Sequence, residues 1–335
     1  SCGISDSAFA ACRKSPTLWK RGSRWSNVAA MGTSTVSLAG ADVRAARRHA
    51  ILFVLSASAT FTFGSAIVKA LTADFPVMEI VTFRSTVGFL LMVPAIIRSG
   101  GWRALRTRRP SGHVQRTLYG FIGTITSVYG FGVLPLVTVT ALGFAMPLIL
   151  TIVSVPLLGE RVGPRRATAV VVGLGGVLVM LRPWQVGAGA MPLGAVAIVM
   201  AGVFTWALSM INIRQMGDAG ERNVTIVAWY SLGTAALGAL GCIGNWVTPT
   251  PWQFGALICA GLTSGLAQLL MTEGYRAAET SLVAPFEYGA IIYATLLGVA
   301  IWGEWPDIWS LLGIVILITS GLYIWHREVT LGIRR

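Results

Sequence analysis

Apolar runs of about 20 residues, each long enough to cross a bilayer as a helix, recur from Ala50 to near the C-terminus. A water-soluble core has no use for so many. Only 12% of the 335 residues are charged, against about 25% in soluble domains, and the mean hydropathy is +0.70. Breaks rich in proline and glycine (Phe75-Pro76, Pro183, Thr248-Pro249-Thr250-Pro251, Trp305-Pro306) separate the runs and mark sharp stops between helices. The pattern predicts ten spans, at 50–71, 77–97, 117–134, 138–158, 166–181, 192–213, 224–244, 252–271, 281–301 and 308–325. The chain reads as an all-α integral membrane protein embedded in a lipid bilayer.

The basic residues set the expected orientation. With the N-terminus inside, the tail carries eight (Arg13, Lys14, Lys20, Arg21, Arg24, Arg44, Arg47, Arg48), and the loop after the second span carries six (Arg98, Arg103, Arg106, Arg108, Arg109, Arg116). Arg161, Arg165 and Arg166, then Arg214, Arg222 and Arg276, and finally Arg327, Arg334 and Arg335 fall on the same side. Of 26 Lys and Arg, only Lys69, Arg84 and Arg182 fall elsewhere. Inside loops concentrate Lys and Arg, so both termini are expected in the cytoplasm, which requires an even number of crossings. Topology thus accounts for the net charge of +13 and removes the case for a nucleic-acid partner. A bacterial cytoplasmic (inner) membrane is the expected location.

Other chemistry is excluded on composition. No lysine follows a glycine as a phosphate-binding loop requires. Cys2, Cys12, Cys242 and Cys259 form no secreted disulfide framework. His49, His113 and His326 lie at the cytoplasmic edge without ligand spacing to one another, so neither a metal site nor a cofactor is expected. Residues 1–48 read as a disordered basic tail. The composition of residues 1–30 is shared with organellar transit peptides, although the preferred reading is that the chain proper starts at Met31. Residues 327–335 form a short basic C-terminal tail.

Shifted by 144 residues, the halves align: Gly159-Glu160 falls on Gly303-Glu304, Gly130-Phe131 on Gly274-Tyr275, and Ser65 on Ser209. Two five-helix repeats result, at 49–182 and 192–326. An odd number of crossings per repeat inserts the second copy upside down. Inverted repeats are a recurring design of secondary transporters, with the substrate near midplane between the copies. Neither an intramembrane enzyme acting on a lipid-type substrate nor a membrane scaffold, the two alternatives, needs this symmetry.

The run Leu157-Leu158-Gly159-Glu160-Arg161-Val162 with Gly-Gly-Val at 175–177, Pro147, Phe83-Arg84, and the run Ala284-Pro285-Phe286-Glu287-Tyr288 followed by Trp302-Gly303-Glu304-Trp305-Pro306 resemble the ten-helix EamA type of the drug/metabolite transporter superfamily. The resemblance covers roughly Ala50 to His326. It implies a carrier of small organic solutes such as amino acids, nucleotide-like metabolites or vitamins. The Pro-Phe-Glu-Tyr variant is similar to bacterial members that take up S-adenosylmethionine or riboflavin.

Ionisable groups within spans cost about 2.5–3.5 kcal/mol at the helix centre and normally face an interior or cavity. Glu287 follows Pro285, which frees the carbonyl of Ser281. It is either a proton-coupling or cation-binding acid, or a structural carboxyl bonded to a neighbouring helix. Arg84 lies too deep to snorkel easily. It either binds a substrate carboxylate or phosphate or pairs permanently with Glu287 or Glu79. Glu79, nearer the outer interface, reads as a partner or gate, and Lys69 as a snorkelling cation. Glu160 and Glu304 either cap the next helix, the preferred reading, or tie the repeats together. Phe83, Tyr129, Trp206, Trp229, Tyr230 and Tyr288, with Phe63 and Tyr293, could stack on a ring-bearing or cationic solute. Asn212 and Gln268 are expected to hydrogen-bond across helices, and Gly261 and Gly265 to allow close helix contact in a monomer or homodimer. The expected mechanism is alternating access, with the repeats rocking about the site and coupled to a proton or a counter-solute.

Overall fold

The computed structural model describes residues 25–107, 109–158, 163–185, 191–277 and 284–330. Among these residues the secondary structure is helical throughout, without strands. In chain order the helices are α1 (Trp25–Leu71), α2 (Val77–Arg98), α3 (Pro110–Val133), α4 (Leu136–Gly143), α5 (Met146–Leu158), α6 (Pro164–Leu181), α7 (Leu193–Asp218), α8 (Asn223–Gly241), α9 (Pro251–Ala277), α10 (Gly289–Trp302) and α11 (Ile308–Thr330), with 3-10 turns at Gly101–Leu105 and Ala284–Tyr288. Among the described residues, eight stretches are long and apolar enough to span a membrane, the α4–α5 pair counting as one. Neither α3, which is interrupted by Gly, Ser, Thr and Tyr, nor the shorter α6 is among them.

Two expectations are corrected. Residues 25–48 are helical rather than disordered: their alanine content favours helix. That stretch belongs to a separate unit ending at His49, and the helix bundle is the unit that begins at Ala50. The fourth span is broken, because Pro147 has no N–H to give to the carbonyl of Gly143. The chain tightens instead, with Phe144 N–H bonded to Ala141 and Ala145 N–H to Leu142, before α5 starts at Met146. In the ninth span the described part opens on a 3-10 turn. Pro285 sits in that turn, and the α-helix begins at Gly289. Gly159 and Glu160, the first Gly-Glu corner, lie outside the described residues, as does Ser281.

Within the bundle, helices meet mainly across the two halves of the chain. α6 packs on α11, α3 on α7, α2 on α8 and α9, α5 on α7, α3 on α8, and α4 on α10. α1 lies against α9, where Gly274 faces Val54, and against the start of α10, where Gly289 faces Leu55. Glycine makes the closest approaches possible. A Cβ on Gly313 would stand 2.5 Å from the carbonyl of Gly176, and one on Gly130 the same distance from Val199. Gly261 and Gly265 bring α9 onto Val87 and Leu91 of α2, so this pair of glycines is used inside the chain. Asn212 Nδ2 donates to Gln115 Oε1 at 3.1 Å, a bond between helices as expected. The outward faces are apolar, with Leu90, Val171, Leu240, Ile292 and Leu296 more than half exposed. In a bilayer lipid tails cover such a surface.

Alanine at Gly313 should lower the melting temperature, by about 1–3 kcal/mol of overpacking, because backbone atoms of α6 stand in its way. Alanine at Gly255, which meets nothing within 4 Å, should leave it unchanged or raise it through better helix propensity. Thermal unfolding of the detergent-solubilised variants checks the pair.

Candidate functional site

Lys69, Arg84 and Arg182, the three cations outside the expected cytoplasmic loops, differ in their partners within the bundle. Lys69 does not snorkel. Its Nζ lies 2.7 Å from Glu304 Oε1 and donates to the carbonyl of Leu134 at 2.8 Å, with the Trp302 ring 5.3 Å away. Glu304 Oε2 accepts the Leu136 N–H at 2.9 Å, one of the free donors opening α4. The second Gly-Glu corner therefore ties α10 to α1 and α4. Gly303 makes the corner possible: its φ of 68° lies in the left-handed region that glycine adopts without strain.

Arg182, just past α6, pairs with Asp307. Asp307 caps α11 by accepting the Ser310 N–H at 2.8 Å. Burial alone would push its carboxyl up. The Ser310 N–H and hydroxyl, with the Arg182 guanidinium, outweigh that and hold it below the usual aspartate range.

Arg84 has neither kind of partner. Among the described residues no carboxylate pairs with it, so the expected pairing with Glu79 or Glu287 is absent. The Phe61 ring lies 5.9 Å from its guanidinium, and the Tyr230 hydroxyl is within electrostatic reach. Glu79 is fully buried and accepts the Val247 N–H at 3.0 Å through Oε2, holding the segment after α8. Glu287, half-buried in the 3-10 turn, stands in electrostatic reach of Tyr288.

The expected aromatic cluster is divided. Phe83 packs edge-on to Phe254 at 5.7 Å and tilts against Trp246 at 5.8 Å. Trp229 is fixed by its Nε1–H bond to the Leu105 carbonyl at 2.9 Å, next to His113. Tyr129 packs against the core, and Trp206 covers Gly123 on α3. Tyr288 stacks on Phe144 at 4.7 Å, its hydroxyl against Gly321. The stack joins the α4–α5 break to the 3-10 turn before α10. Of the proposed aromatics, Tyr230 is the one within electrostatic reach of Arg84.

Tyr230 also receives a group that the sequence assigned to a loop. Arg116, counted among the inside cations, is 7% exposed, and its guanidinium lies 3.9 Å from the centre of the Tyr230 ring. Its place at the edge of an interrupted, glycine-rich span hid it. The signal that could have found it is the i, i+4 spacing to Gly120, whose missing side chain leaves room for Arg116 and Tyr230 together.

The chain matches the EamA-like transporter family twice, over residues 48–182 and 193–325. It belongs to that family. It is therefore a transporter rather than an enzyme, and a multi-pass membrane protein. A riboflavin transporter of Rhizobium johnstonii is 27% identical over 83% of this chain and 91% of its own length. An S-adenosylmethionine uptake transporter of Rickettsia bellii is 26% identical over 75% of this chain and 84% of its own. A pseudopaline exporter of Pseudomonas aeruginosa is 27% identical over 82% and 94%. A crystal structure 20% identical in sequence matches 85% of this chain and 99% of its own with a TM-score of 0.58, which speaks for the shared fold.

The lowered pKa of Asp307 sets a direction for pH dependence. A depressed carboxyl adds stability above the unfolded pKa, and that stability is lost as pH falls through the folded value. Asp307→Asn should therefore melt below the wild type at neutral pH. The gap should close below the ordinary aspartate range, as melting curves across pH would record.

Proposed function

We propose that this protein is a secondary transporter carrying a small organic metabolite across a bacterial cytoplasmic membrane by alternating access between two inverted five-helix repeats. The observation that carries the reading is the pattern of helix contacts. Exchanging each crossing for its counterpart in the other half turns α3 on α7 into α9 on α1, α2 on α9 into α8 on α3, and α5 on α7 into α10 on α1. The pairs α6 with α11, α2 with α8, and α4 with α10 map onto themselves. Every one of these contacts occurs. An approximate two-fold relation explains that closure, and the double family match supports it.

Phe144 and Tyr288 strengthen the case. They are counterparts at the offset of 144 residues, and they stack on each other, as a pair lying on a two-fold axis can. Phe144 lies at the break of its span, and Tyr288 in the 3-10 turn that leads into α10. Broken helices at the interface of inverted repeats are where transporters bind substrates and coupling ions. Under this reading α3 and α6 also cross, which makes ten spans with both termini cytoplasmic. Their polar and short segments are protected by α7, α8 and α11.

The relatives move riboflavin, S-adenosylmethionine and pseudopaline by name, and metabolites of comparable size are the proposed cargo here. Arg84 is the proposed substrate contact, and Glu287, beside the axial stack, is the proposed coupling acid. Glu79 is assigned to holding the outer end of the bundle. Transport is driven by a proton or by exchange with a counter-solute, and the functional unit is a monomer or homodimer. Reconstituted into proteoliposomes, the wild type should accumulate a member of a panel of riboflavin, S-adenosylmethionine and amino acids. Arg84→Ala and Glu287→Gln should insert normally and lose most of that uptake. Full activity in both variants would contradict the site.

A further inference from the structure

Arg116 is buried on α3 one turn before Gly120, and a Cβ at Gly120 would collide with its guanidinium and with the Tyr230 ring. The hydrogen bonds around Tyr230 run in one direction. The Thr124 hydroxyl donates to the Gly120 carbonyl at 2.8 Å. Its proton is then committed, so the contact of 3.0 Å between Thr124 and Tyr230 has the Tyr230 hydroxyl as donor. The lone pairs of Tyr230 are left to accept from Arg116. A guanidinium carries five N–H donors, and the buried Nε–H of Arg116 has no partner among the described residues.

Arg84, on α2, has the same Tyr230 hydroxyl within electrostatic reach. Among the described residues neither arginine has a carboxylate within ion-pair distance, whereas Lys69 and Arg182 both do. Two like charges within electrostatic reach of one phenol repel, and the low dielectric of a bundle interior strengthens the repulsion. An anion bridging them turns that penalty into attraction and occupies the free donors. Planar guanidinium forks suit the paired oxygens of a carboxylate or phosphate. Trp206 against Gly123 of α3 and Phe61 over Arg84 supply flat apolar surface nearby.

We propose that Arg84, Arg116 and Tyr230 form an oxyanion site, and that the cargo is a ring-bearing solute carrying a carboxylate or phosphate group taken from solution. The proposal rests on the transport reading and names its substrate class. Arg84 and Arg116 each offer the anion a guanidinium, and the Tyr230 ring aligns that of Arg116.

The test compares matched pairs that differ in the anionic group: flavin mononucleotide against riboflavin, and phenylalanine against phenylalaninamide. Binding is measured to the full-length protein in nanodiscs of neutral lipid. In at least one pair the wild type should bind the anionic member roughly tenfold more tightly or better, the scale of one charge-assisted hydrogen bond. Arg84→Gln and Arg116→Gln should each reduce the preference to a few-fold. Arg116→Lys, which keeps the charge and so guards against simple misfolding, should retain part of it. Equal binding within both pairs, no binding by either anionic member, or an undiminished preference in the double glutamine variant would overturn the proposal. So would protection by phosphatidylglycerol alone that disappears in that double variant, since it would assign the cluster to a lipid headgroup. Proteoliposome uptake separates this inference from its foundation. Uptake without anion preference overturns the substrate class and leaves transport standing. Anion binding without uptake contradicts the transport reading and leaves the site standing.

Discussion

In a hydrocarbon core a lone ammonium or guanidinium is too costly to leave without a partner, and that constraint organises this molecule. Lys69 and Arg182 are matched by acids from the opposite half, so their ion pairs also act as joints: Glu304 opens α4 while holding α1, and Asp307 caps α11 while holding the end of α6. Breaking such a pair by removing one member typically costs about 3–5 kcal/mol when both are buried. Lys69 lies nearer that limit than Arg182, whose acid is 39% exposed. Arg84 and Arg116 stand apart because the described residues supply them only a tyrosine and aromatic surface. The joints of the bundle are thereby set apart from the proposed cargo site by the carboxylates they carry.

Close packing makes this arrangement possible. Lipid tails are as apolar as leucine, so helices associate through van der Waals contact and small residues that let backbones approach. Gly176 against Gly313, Gly130 against Val199, and Gly261 and Gly265 against α2 are the instances here. The same device opens space for function at Gly120, where the absent side chain admits Arg116 and Tyr230. Pro147 breaks the fourth crossing, Pro285 lies in the 3-10 turn that leads into α10, and the two places meet at the Phe144–Tyr288 stack.

Much of the architecture was legible in the sequence, because a bilayer imposes length and hydropathy on every crossing. The helical class, the positions of most spans and the family came from that regularity and from the Gly-Glu corner. The site was less legible. Arg116 was taken for a loop cation, since charge counting cannot tell a solvated arginine from one folded beneath a helix. The aromatics were read as one cluster, yet Phe83, Trp229 and Tyr288 each face a different neighbour. Sequence spacing gives the face of a helix but not its partner. Lys69 was read as snorkelling because Glu304, its counter-ion, lies in the other half of the chain.

Opposite insertion of the two halves is the feature on which alternating access depends. Single cysteines at Arg165, at the start of α6, and at Trp305, just past α10, would test it most directly. Both positions are exposed, and the background would lack the four native cysteines. A membrane-impermeant maleimide would be applied to sealed vesicles of known orientation. Inverted repeats predict that residue 165 is labelled only from the cytoplasmic face and residue 305 only from the opposite face. Labelling of both from one side would contradict inverted repeats, and with them the alternating-access mechanism.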